Sequence, residues 1–292
     1  FGSWLEVLVT FLPDDYEGSW TLASSVTRRG VCLHSGDDAQ VKLSPSVRAG
    51  FHVSWIASRD EPITLNAYQV CDSQLCTTLD LGNRKLSTVE HLLAALAGCG
   101  LSHVHIEVSG EEIPLLDGSA IGWVEAILEA GIVPALTSRL KPPIVEKPSI
   151  LNRGNSVITA TPASSIILVG IIDFPYAPIG RQMLSIELTP NSFVKEIAPA
   201  RTFGFLDQLE KLKASGLIKG GSLESALVCD SDAWVNPPLR FEDEPVRHKL
   251  LDLIGDLALA GLPKGQVLVY RGSHGLHTDL AVSILKNNCL LR

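Results

Sequence analysis

The sequence predicts an α+β protein of two domains, with sheet and helices in separate layers. Three observations carry that reading. In each half, segments that alternate with period two come first and segments with helical spacing follow. The run Leu140-Lys141-Pro142-Pro143 parts the two halves, because paired prolines resist regular structure. Finally, 292 residues, 46% of them hydrophobic, exceed the roughly 150 that one domain ordinarily holds. The domains are therefore set at 19–139 and 144–292.

The elements follow in order. Short strands and turns fill 19–80: Val41-Lys42-Leu43-Ser44 and Phe51-His52-Val53-Ser54-Trp55 alternate, with Pro45 and Gly50 between them. A helix is predicted over 88–98. Thr88 is its N-cap, with Ser87 as the alternative, and Leu92-Leu93-Ala94-Ala95-Leu96-Ala97 supplies helix formers. Gly98 and Gly100 end it. Val104, Ile106 and Val108 mark a strand. A helix over 119–130 presents Trp123, Ile127 and Leu128 and stops at Gly131. Past the prolines, strands are expected at 156–160, 165–173 and 184–189, then a helix at 206–214. A long helix covers 245–259, halted near Gly261 and Pro263. A short strand at 266–270 and a helix at 275–287 complete the chain.

Composition removes several function classes. The net charge is −8 with no long Lys/Arg run, so nucleic acid is not expected as a partner. A substrate bearing one or two phosphates stays compatible. The most apolar stretch, 166–172, falls well short of the roughly 20 residues that span a bilayer. Six cysteines, at 32, 71, 76, 99, 229 and 289, include no CxxC pair and read as free thiols in a reducing compartment. The chain opens at Phe1, and its one methionine is Met183, which suggests a processed or truncated start. Residues 1–18 lack the layout of a secretory signal and carry Asp14, Asp15 and Glu17, unlike a basic transit helix. No GxGxxG, GxxxxGK[ST] or GxSxG pattern occurs.

Two segments point to metal chemistry. In Arg247-His248-Lys249-Leu250-Leu251-Asp252-Leu253-Ile254-Gly255-Asp256, the residues His248, Asp252 and Asp256 share one helical face at steps of four. The apolar residues around them predict burial, and a buried carboxylate needs a partner or a metal. Zinc accepts imidazole and carboxylate together, and a third ligand would leave one position open for water. The second segment, Ser87-Thr88-Val89-Glu90-His91, supplies either Glu90 or His91. Neighbouring residues on a helix point about 100° apart, so one can ligate while the other faces the water. His274, in Gly272-Ser273-His274, sits at a strand-to-helix junction where function concentrates. His277 has weaker support, His34 reads as a turn or rim residue, and His103 and His105 read as structural. Cys76 has no histidine near it in sequence to activate it.

These segments belong to a longer ordered set: Gly30-Val31-Cys32-Leu33-His34-Ser35-Gly36, Ser87 to His91, Pro114-Leu115-Leu116-Asp117-Gly118-Ser119-Ala120, Ala200-Arg201-Thr202-Phe203-Gly204-Phe205, Leu239-Arg240-Phe241-Glu242-Asp243-Glu244, Arg247-His248-Lys249 and Gly272-Ser273-His274. On these, over roughly 20–290, the chain resembles the UDP-3-O-acyl-N-acetylglucosamine deacetylases, zinc-dependent hydrolases of lipid A biosynthesis. The resemblance implies two α+β domains facing each other across the site. It implies His91, His248 and Asp252 as metal ligands, Zn2+ as cofactor with Fe2+ as the alternative the ligands accept, Glu90 as general base and His274 as acid. Asp256 would orient His274, Thr202 would lie near the oxyanion, and Lys249 and Phe203 would meet the sugar nucleotide. An insert at about 170–203 would form an apolar acyl passage from Ile171, Ile172, Phe174, Ile179, Phe193 and Val194. His277 departs from the asparagine common in that family, and residues 1–18 match nothing in it. A soluble monomer is expected, in the bacterial cytoplasm or, for a eukaryotic relative, in the mitochondrion after loss of a transit segment. An inactive metal-binding or acyl-lipid-binding homologue is the competing reading.

Overall fold

The computed structural model describes residues 11–138 and 141–289. The expectations for residues 1–10 and for Leu140 fall outside that range. Helices and mostly antiparallel sheets form separate layers, as the α+β class requires.

A seven-stranded sheet is drawn from segments between Trp20 and Pro134. Its strand His103–Val108 pairs antiparallel with Asp38–Pro45 and parallel with Gly50–Trp55. The alternation is real: Val104, Ile106 and Val108 point into the core and are buried. The helix Ile121–Ala130 packs on strand Val26–Val31 with Trp123 and Ile127 fully buried, and Gly131 at φ +75 ends it. A three-stranded sheet, Val70–Asp72, Thr78–Asp80 and Lys85–Leu86, precedes the first long helix.

The second large sheet runs in the order Ser149–Arg153, Ser156–Thr161, Gly265–Tyr270, Ile166–Asp173, Arg181–Glu187. Its one parallel pair is Ile166–Asp173 with Gly265–Tyr270. Strand Ser149–Arg153 was not expected, because it is a half-exposed edge with Ile150 turned outward and polar residues beside it. Helix Leu206–Ala214 has the bounds read from sequence, yet none of its residues is buried.

Two helices bring the layers together. The early helix, Glu90–Gly98, packs along the central helix, Glu244–Ala258, which lies on strand Ile166–Asp173. Gly255 makes the approach possible: a Cβ there would stand 2.0 Å from the Glu90 carbonyl oxygen. The last helix, His274–Cys289, also packs on the central helix.

Two expectations change. Neither Thr88 nor Ser87 caps the early helix: Val89 holds the N-cap position without a side-chain bond. Thr88 instead adopts φ +58 and donates its hydroxyl to Glu112 Oε1 at 3.2 Å. Phe193 and Val194 do not line a passage. Both are fully buried in the main core, and the Phe193 ring fills the space that a side chain at Gly98 would need. An apolar cavity of about 390 Å³ is lined by Phe203, Leu209, Leu212, Ile218, Leu223 and Val228 among others. Ile172 and Ile179 form a separate small cluster with Phe174, Phe203 and Phe205.

Candidate metal centre

The central helix presents a buried stripe at four-residue steps: Glu244, His248, Asp252 and Asp256. The early helix contributes Glu90 and His91 from its first turn, where the helix dipole favours a carboxylate. One ligand atom each from His91, His248 and Asp252 lie within 4.8 Å of one another. His248 Nε2 is 3.3 Å and His91 Nε2 3.6 Å from Asp252 Oδ1, and the two imidazoles stand perpendicular.

The donor set fits a divalent cation. His248 Nδ1 donates to the Ala200 carbonyl at 3.0 Å, since a carbonyl can only accept. That fixes the tautomer and leaves the Nε2 lone pair facing Asp252 Oδ1. Burial pushes the His248 imidazolium down to about 3, so a proton does not bridge the two. Burial alone would raise Asp252, but Lys249, His248 and His274 outweigh it and hold the carboxyl well below its ordinary range. Acceptor thus faces acceptor among buried side chains, the arrangement a metal ion resolves.

Beside this triad lies an acid–base pair. His274 Nδ1 bonds Asp256 Oδ2 at 3.0 Å, and its Nε2 lies 4.0 Å from Asp252 Oδ2. Burial works against the His274 imidazolium, but Asp256 and Asp252 outweigh it and lift the pKa to about 9. Glu90 is buried, and that burial raises its carboxyl above the usual value. Lys249 Nζ reaches Asp252 Oδ2 at 2.9 Å and stands 5.6 Å from the centre of the Phe203 ring. Thr202 donates its N–H to Gly118 O and lines the 390 Å³ cavity.

The residues that sequence singled out on the central and early helices and at His274 come together, while His34 lines the 390 Å³ cavity; His277, given weaker support by sequence, and several residues that sequence passed over join them. His277 is buried, with Nδ1 2.9 Å from Asp256 Oδ2. Its position three residues after His274, nearly one helical turn, was the available signal. Thr77 donates its N–H to Glu90 Oε2 at 3.0 Å and its hydroxyl to Asp256 Oδ1. Buried Glu244 accepts from Arg201 (Nε to Oε1, 2.9 Å) and from the Arg240 N–H, which anchors the stretch that carries Ala200. Arg271, paired with Asp173 at 2.9 Å, shares a 410 Å³ cavity with Lys249 and Gly272. Burial pushes the Cys76 thiol up to about 12, which disfavours the thiolate. Among the described residues no cysteines are bonded to each other, and no helix is long and apolar enough to cross a membrane.

Comparison with known proteins gives a consistent result. Residues 19–286 match the profile of the family described as UDP-3-O-acyl N-acetylglycosamine deacetylase. A UDP-3-O-acyl-N-acetylglucosamine deacetylase of Nostoc sp. is 47% identical, over 91% of this chain and 97% of its own length. The protein of that name in Thermosynechococcus vestitus is 47% identical, over 90% and 93%. An Arabidopsis thaliana protein, named a probable mitochondrial deacetylase of this kind, is 41% identical over 89% and 86%.

Proposed function

The chain belongs to the UDP-3-O-acyl N-acetylglycosamine deacetylase family, and from that premise we propose how its residues carry the reaction. The enzyme is a metal-dependent amide hydrolase. It cleaves the N-acetyl amide of UDP-3-O-(hydroxyacyl)-N-acetylglucosamine to acetate and a free amine, a step of lipid A biosynthesis. The observation that carries the site assignment is the convergence of His91, His248 and Asp252 on one point.

His91, His248 and Asp252 hold the ion, with Zn2+ as our choice and Fe2+ as the alternative. Bound there, such an ion supplies Lewis acidity and makes a water molecule acidic enough to lose a proton near neutral pH. Glu90 takes that proton; Thr77 holds Oε2, which leaves Oε1 to act as the base. A C–O bond forms at the acetyl carbon. The Thr202 hydroxyl and the His274 imidazolium steady the developing oxyanion. His274, held at Nδ1 by Asp256, turns its Nε2–H toward the triad and passes the proton to the departing nitrogen as the C–N bond breaks. Lys249, with Arg271 in the same 410 Å³ cavity, meets the diphosphate, and Phe203 borders the sugar. The acyl chain takes the 390 Å³ apolar cavity beyond Thr202. We assign the two domains to 19–139 and 144–292. A monomer working in the bacterial cytoplasm or, in a eukaryote, the mitochondrion completes the proposal.

The test is acetate release from the acylated UDP-sugar by metal-loaded protein, repeated after chelation. Release that stops with the chelator and returns with zinc supports the reading. A metal-loaded protein that binds the acyl chain yet releases no acetate would favour the inactive homologue.

A further inference from the structure

We infer that Thr77 is a positioning residue that couples the general base to the acid's carboxylate partner; the inference rests on the deacetylase reading above. Thr77 is fully buried at the edge of the small sheet, on neither helix of the site. Every polar group it has is committed. Its N–H holds Glu90 Oε2 at 3.0 Å, its hydroxyl holds Asp256 Oδ1, and its carbonyl receives the Val89 N–H at 3.5 Å. Glu90 starts the early helix and Asp256 lies on the central helix, so one residue spans both elements.

The arrangement is unequal at Asp256. Its Oδ2 is shared by His274 and His277, while Thr77 is the one donor that the described residues offer to Oδ1. Without the hydroxyl, the carboxylate can rotate, and His274 loses a fixed acceptor for Nδ1. A threonine suits the task because branching at Cβ restricts χ1 and aims the hydroxyl. The backbone N–H to Glu90 survives any side-chain change. Substitution therefore separates Thr77's two roles: it disturbs the acid while sparing the base and the metal.

The experiment compares metal-loaded wild type, Thr77→Val and Thr77→Ser for acetate release, metal content and melting temperature. Valine keeps the shape and loses the hydroxyl, so kcat should fall about 10- to 100-fold with KM and metal content unchanged. Serine keeps the hydroxyl and should stay within about threefold of wild type. In a double-mutant cycle with Asp256→Asn, the two losses should fall well short of additive. The inference is overturned if Thr77→Val turns over normally, if serine falls as far as valine, if the loss tracks lost metal, or if the cycle is additive. Should the valine protein fail to fold, Thr77→Ala, which also removes the hydroxyl, and its cycle with Asp256→Asn decide the same question. An inactive wild-type protein would instead bring down the deacetylase reading itself.

Discussion

The central helix brings Glu244, His248, Asp252 and Asp256 to the site as one stripe, each a turn beyond the last. The stretch from Cys76 to His91 brings Thr77, Glu90 and His91 by other means: a strand edge, a threonine at φ +58 and the first turn of a helix. The first region is ordered by helical periodicity. The second is ordered by hydrogen bonds to backbone groups and by local strain, which the surroundings must hold in place. A metal ligand on the regular helix should thus behave as an independent unit, whereas residues on the irregular side should act through one another.

The largest expected effect comes from the regular side. If His248 and Asp252 hold the ion as proposed, His248→Ala or Asp252→Ala should lower metal affinity by more than the roughly 10- to 100-fold typical of an outer partner. Equilibrium dialysis against zinc measures this, and either variant binding metal as tightly as wild type would remove it from the ligand set.

Next comes the acid–base chemistry, with Glu90 on the irregular side and His274 at the start of the last helix. Glu90→Gln should keep its metal and lose about 10²-fold or more in kcat. The base must be ionised and the acid protonated, so activity should rise as pH passes the burial-raised pKa of Glu90. It should fall again near 9 as His274 loses its proton. His274→Ala should slow turnover and erase the alkaline limb. A profile that keeps that limb would assign it to another group.

A smaller effect tests the contact between the two regions. Gly255→Ala places a Cβ against the Glu90 carbonyl, and overpacking of this kind costs about 1–3 kcal/mol. For a chain of this size the melting temperature should drop by about 5 °C. An unchanged melting temperature would mean that the helices are free to move apart.

The same contrast explains what the sequence made readable. The central helix was legible because His248, Asp252 and Asp256 repeat with the helical period among leucines and isoleucines, and its bounds came out within a residue. The alternation at Val104, Ile106 and Val108 placed a central strand for the same reason. Thr88 misled because a threonine before a helix ordinarily caps it, whereas here its hydroxyl serves Glu112. Thr77 was invisible because its role depends on two residues, one 179 positions away, that only tertiary structure brings close. Phe193 was read as a passage wall because hydrophobicity alone does not separate core residues such as Phe193 from cavity walls such as Leu212.

The most direct test is an anomalous-difference map at the zinc edge from crystals of the zinc-loaded protein. A single strong peak bounded by His91 Nε2, His248 Nε2 and an Asp252 carboxylate oxygen is the expected result. Zinc bound elsewhere, or those three side chains too far apart to share it, would contradict the account.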